Sequence, residues 1–121
     1  GLALLLLGVF GCAATKPSSD PWVINFVGSP DDVWVACQIA LDELEYDVES
    51  ENRVDGLLRA ARPGADEGST EVLSLDLIMR TNDVKVYVRA SAGPDEPAMA
   101  FARKEALAKE FMALVNGLLF K

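Results

Sequence analysis

"EVLSLDLIMR" (71–80) and "VKVYVRAS" (84–91), three residues apart, are the two runs from which the rest of the chain is read. In the first, Leu73, Leu75, Leu77 and Met79 alternate with Val72, Ser74, Asp76, Ile78 and Arg80. In the second, Val84, Val86, Val88 and Ala90 alternate with Lys85, Tyr87, Arg89 and Ser91. A period of two is that of a strand with one face buried. With Asn82-Asp83 as a two-residue turn, Met79 faces Val86, Leu77 faces Val88 and Leu75 faces Ala90 on the core side. On the outer side Ile78 meets Tyr87 and Asp76 meets Arg89, pairs worth about 0.2–1 kcal/mol each. A slip of one residue would turn every apolar side chain to the wrong face. This register leaves Arg80 opposite Lys85, a like-charge pair.

Upstream of the hairpin, "RPGADEGST" (62–70) reads as a loop, with Pro63, two glycines and scattered charge. Before it, "YDVESENRV" (46–54) and "LLRAA" (57–61) read as two strands joined through Asp55-Gly56, a tight-turn signal. Their register stays open, because Leu57 and Leu58 fall on opposite faces. "SPDD" (29–32) is a helix start: Ser29 as N-cap, Pro30 in the first helical position and two acids where the helix dipole favours them. Val33, Ala36, Cys37, Ala40, Leu41 and Leu44 form one apolar stripe, so the helix is expected to run to about Glu45, with Trp34 packed on its flank. "PWVINFVG" (21–28) precedes it as a strand closed by Gly28.

Downstream, the loop "AGPDEP" (92–97) leads to a helix expected from about Ala98. Its stripe is Phe101, Ala108, Phe111, Met112, Val115 and Leu118, with Arg103, Lys104, Lys109 and Glu110 facing water. The fold class that follows is α+β: an antiparallel sheet of about five strands, in the order β-α-β-β-β-β-α, with two helices packed on one face. Residues 21–121 form a single domain, long enough for a core without covalent staples.

The chain carries a net charge of −8, and the distribution is uneven. Nine acids lie between Asp31 and Asp55 with one base, Arg53, while the remainder sums to zero. One edge or face is therefore strongly negative, which argues against nucleic acid and against direct adhesion to anionic lipid. Asp42, Glu43 and Glu45 at the helix end, with Asp47, Glu49 and Glu51 on one strand face, are the candidate partner-binding acidic surface. Such a surface fits a basic partner or a weak Ca²⁺ site, or serves only to keep the edge strand solvated and unpaired. No loop with Ca²⁺-ligand spacing is visible, so no metal is expected.

The chain has no histidine, which removes the commonest base near neutral pH and the commonest metal ligand. No nucleophile elbow, phosphate-binding glycine loop or Cys-x-x-Cys pair is present. No enzyme activity, catalytic residue or cofactor is expected. Cys37 sits on the apolar helical stripe and reads as a small core residue.

The first twenty residues, "GLALLLLGVFGCAATKPSSD", give an address instead. Leu2 to Phe10 is about half of the roughly 20 residues a membrane-spanning helix needs, and it has the length of a signal-peptide h-region. The Val9-Phe10-Gly11-Cys12 that follows resembles a bacterial lipobox. That resemblance implies cleavage after Gly11, a diacylglyceryl group on the Cys12 sulfur and acylation of the new amine. Residues 1–11 are then a signal-peptide remnant with its lipobox, and 12–20 a lipidated cysteine and tether.

"SPDDVWVACQIALDELEYDVES" (29–50), "DGLLRA" (55–60), the amphipathic hairpin and the closing helix together resemble a family of small bacterial lipoproteins of unknown function. In that family a "Leu-Gly-Tyr-x-Val" exit follows the first helix; here Glu45 stands where the glycine would be. The order of elements is also similar, more distantly, to the helix-grip domains of barrel-assembly lipoproteins of the BamC type. The family implies a lipid-anchored envelope protein, and Ala13 after the cysteine looks like an outer-membrane sorting choice, facing the periplasm. The expected role is a non-catalytic interaction or accessory module with an envelope protein partner. The alternative is a periplasmic carrier holding a lipid or other apolar ligand between sheet and helices.

Overall fold

A computed structural model describes residues 21–120. The proposed lipobox, Val9, Phe10, Gly11 and Cys12, and the tether at 13–20 lie outside the described residues. Five strands, β1 (Trp22–Val27), β2 (Asp47–Asn52), β3 (Leu57–Pro63), β4 (Thr70–Met79) and β5 (Asp83–Ala92), form one antiparallel sheet in the order β1-β5-β4-β3-β2. Helices α1 (Pro30–Glu43) and α2 (Phe101–Leu119) share the core on one face of it. This is the α+β architecture expected from the order of elements.

The start of α1 follows its sequence signals. Ser29 is extended, and its hydroxyl accepts the Asp32 backbone N–H at 3.2 Å, with Pro30 at the first turn. The helix ends two residues earlier than expected, at Glu43. The Tyr46 N–H bonds to the Leu41 carbonyl at 2.9 Å and the Glu45 N–H to that of Asp42 at 3.0 Å. This is a Schellman closure, and it holds Glu45 in the left-handed region at φ 67°. A glycine is the residue that adopts this conformation without steric cost. The second helix starts at Phe101 rather than Ala98, and its Ala100 N-cap has no side-chain hydrogen bond.

The central hairpin has the expected faces and a different register. Leu77 stands opposite Val86, Leu75 opposite Val88 and Leu73 opposite Ala90, two residues away from the pairing built on an Asn82-Asp83 turn. The turn residues are instead Thr81-Asn82, since the Arg80 N–H bonds to the Asp83 carbonyl at 2.9 Å. Outside, Asp76 meets Tyr87 and Ile78 meets Lys85. A shift of two preserves every inward-facing residue, so hydrophobic pattern cannot choose between the registers. Charge does: Arg80 leaves Lys85 and pairs with Asp83 at 3.3 Å.

The inward residues of the sheet, Phe26, Leu58, Leu73, Leu75, Leu77, Val84, Val86 and Val88, meet Val33, Cys37, Ala40 and Leu41 of α1 and Leu107, Ala108, Phe111 and Val115 of α2. Each is at most 2 % exposed. Burying one such large side chain is worth about 1.5–3 kcal/mol. Leu107 joins the expected stripe, whereas Phe101 lies outside it, 44 % exposed and packed against Trp22 with ring centroids 5.5 Å apart. Among the described residues no helix is long and apolar enough to cross a membrane.

Candidate interaction surfaces

Strand β2 is one edge of the sheet and carries the expected acidic surface, but not as a single stripe. A bulge between Val48 and Ser50 breaks its ladder with β3. Asp47 stands opposite Ala61, on the face away from the helices, and Glu49 bonds Arg59 on that same side at 3.3 Å. Glu51 stands opposite the inward-facing Leu58 and accepts from Gln38 Nε2 of α1 at 3.0 Å. The extra residue of a bulge reverses side-chain parity, which simple alternation does not anticipate. Asp42 and Glu43 close α1 nearby and are exposed, as is Glu45 in its left-handed position. The only base of this span, Arg53 in the β2–β3 turn, ion-pairs with Asp31 and lies over the Trp34 ring at 5.8 Å. Among the described residues no set of three or more acids or cysteines is arranged to hold a metal ion.

A second polar cluster sits at the end of the sheet beside the 64–69 loop. Glu71 has the inward parity of Leu73 and Leu75 and is only 6 % exposed. Its carboxylate accepts from Arg62 Nε at 3.1 Å and from Arg103 Nε at 2.8 Å. Arg62 also donates to the Leu44 carbonyl at 2.6 Å and lies 4.4 Å over the Tyr46 ring. The cluster ties the end of α1, β3, β4 and the first turn of α2 together. Arg103 faces water as expected over about half of its side chain, and its guanidinium also reaches back to Glu71. The sequence holds one signal for this cluster, an acid at a core-facing position of a strand. Burial pushes the Tyr46 hydroxyl up to about 12, against a lowering by the adjacent Arg62.

The sheet face turned away from the helices forms a third surface. A cleft of about 470 Å³ on it is lined by Leu57, Ser74, Asp76, Ile78, Tyr87 and Arg89, with Pro21 at its rim. Strand β1, next to it, is the other edge of the sheet. Cys37, by contrast, has no surface role: it is fully buried, and burial pushes its thiol up to about 12, leaving no thiolate near neutral pH.

No protein-family model matches the sequence, and no curated protein matches it significantly. Among solved structures, the chain is similar to a chain of the adenylate sensor from AMP-activated protein kinase, crystallised in complex with 5-aminoimidazole-4-carboxamide 1-beta-D-ribofuranotide (ZMP). The match has a TM-score of 0.60 at 12% identity and covers 77% of this chain and 94% of that one. At this identity the likeness is one of fold.

Proposed function

We propose that the chain is a non-catalytic lipoprotein of the bacterial cell envelope, anchored through Cys12 and serving as an interaction or accessory module. The observation that carries this reading is Val9-Phe10-Gly11-Cys12 at the end of a short apolar run, nine residues before the domain begins at Pro21. Its family is the group of small lipoproteins that the helix, turn and hairpin motifs resemble, and its membrane is the outer one. The diacylglyceryl group on the sulfur carries two acyl chains, cleavage after Gly11 frees the Cys12 amine for a third, and two or more chains make anchoring stable.

The fold favours an interaction module over a carrier. The positions that would line a pocket between sheet and helices are filled by Phe26, Leu41, Leu73 and Phe111, each at most 1 % exposed. Its outer sheet face and its edges are surfaces the domain offers to other molecules. The test is mass spectrometry of the N-terminal peptide from native membranes. A peptide beginning at Cys12 with diacylglyceryl and acyl additions is the expected result; an unmodified peptide running through Gly11-Cys12 overturns the reading.

A further inference from the structure

We propose that two copies of the chain associate through β1, antiparallel and centred on Asn25, so that their sheets join into one of ten strands. The starting point is the direction of the β1 backbone groups. Gly28, continuing the β1–β5 register, donates its N–H to the Asn82 carbonyl at 2.9 Å. In an antiparallel ladder, hydrogen-bonded and non-bonded positions alternate. Trp22, Ile24 and Phe26 therefore direct their N–H and C=O groups toward β5, and Val23, Asn25 and Val27 direct theirs away from it. Among the described residues no strand meets those six outward groups.

The occupant follows from self-complementarity. Val23-Ile24-Asn25-Phe26-Val27 reads alike from both ends in size and polarity. Pairing it with its own copy about Asn25 places Val23 opposite Val27 of the second copy, Asn25 opposite Asn25, and Val27 opposite Val23. All three are the outward-bonding positions, so the pairing satisfies all six backbone groups on each strand edge in a single closed, two-fold contact. It also covers Val23 and Val27, which are 49% and 67% exposed. Strand β1 carries no charge, bulge or internal proline, the devices that keep edges apart. The opposite edge carries both a bulge and three acids, so β2 does not pair with a second β2. The proposal holds whether or not the chain is lipidated.

Sedimentation equilibrium of the whole chain in neutral detergent tests it. The expected result is a monomer–dimer equilibrium that Val23→Lys with Val27→Lys weakens by at least ~10-fold, because like charges then oppose each other twice. Circular dichroism of that variant establishes that both copies remain folded. Asn25→Cys supplies a second readout. Its Cα atoms would lie about 5.5 Å apart across the two-fold axis, within disulfide range. Mild oxidation should cross-link this variant well above the background of the parent chain, and Ser50→Cys on β2 should stay at that background. A chain monomeric at all concentrations, a dimer indifferent to the two lysines, or no added cross-linking through Asn25→Cys overturns the proposal.

Discussion

The two edges of this sheet are built on opposite plans. Strand β1 is a plain, uncharged ladder with its apolar residues set symmetrically about one asparagine. Strand β2 is bulged, exposed throughout, and tied by its acids to neighbours: Glu49 to Arg59 and Glu51 to Gln38. Beyond it, Arg53 fastens the β2–β3 turn to the start of α1, and Glu71 fastens the strand ends to both helices. Three of the nine acids of residues 31–55 lie on this strand, where charge keeps an edge open to water without inviting another strand. A chain with one defended edge and one plain edge has a single direction in which its sheet can grow.

The contrast is open to experiment, beginning with the ties on the defended side. Glu71→Ala leaves two guanidinium groups facing each other around a vacated buried position, and removal of one partner from such a cluster costs about 3–5 kcal/mol. Arg103 is half exposed, which places the expected loss near the lower end, read from urea unfolding. A loss of less than about 1 kcal/mol would mean that the cluster contributes no more than a surface ion pair and that the two sides are held alike.

Gly56, in the β2–β3 turn, is next. It has φ 73°, and a Cβ there would run into the Leu77 carbonyl, which belongs to the neighbouring β4. The Leu77 N–H already donates to the Gly56 carbonyl at 2.7 Å, so the turn cannot swing away without losing that bond. Gly56→Ala should destabilise by about 2–3 kcal/mol, combining backbone strain with overlap. Hydrogen exchange should show the loss concentrated in β2 and β3; protection lost equally in β1 would break the contrast.

An alkaline titration addresses the core that both sides share. Cys37 and Tyr46 each have a folded-state pKa raised by burial, from 9.0 and 10.0 respectively to about 12. Above those ordinary values the unfolded chain releases protons that the folded chain keeps, so stability is complete below about pH 9 and falls as pH rises toward 12. The slope is at most about 1.4 kcal/mol per pH unit for each group. Cys37→Ala should flatten the curve between pH 9 and 10 and about halve the slope above it, where Tyr46 alone of the two then contributes. An unchanged profile would place the alkaline sensitivity elsewhere.

The smallest effect is a gain. Glu45 closes α1 in a conformation that glycine adopts freely; relief of about 1–2 kcal/mol of left-handed strain exceeds the ~0.4–1 kcal/mol of added unfolded-chain entropy, so Glu45→Gly should stabilise the chain by up to about 1 kcal/mol. A thermal melt that moves down instead would mean that the Glu45 side chain contributes more than its backbone strain costs.

The same contrast marks where the sequence was informative. Wherever one face of an element is buried, period and parity are visible: the stripe of α1, the alternation in β4 and β5, and the cap at Ser29 all appear as expected. Exact partners are less visible, because a two-residue shift keeps every parity and only the Arg80–Lys85 conflict hinted at it. Strand β2 offered least, since an exposed strand has no apolar face to reveal a bulge. The Glu71 cluster was within reach through its inward parity, but its partners lie 9 and 32 residues away along the chain, a distance no local pattern spans. The lipobox and its neighbours rest on sequence alone, being outside the described residues.

The chain's two tryptophans happen to be divided between the two sides. Trp22 is half-buried on β1 beside Phe101, while Trp34 is buried under Arg53 of the β2–β3 turn. Replacing either one by phenylalanine leaves a single tryptophan, excited apart from Tyr46 and Tyr87 at the red edge of the absorption band, that reports on one flank without any label. Trp22 emission should shift to the blue when strands join at β1, and Trp34 emission to the red when the turn latch opens. Light alone, read from the two variants side by side, would then distinguish association at one edge from loosening at the other.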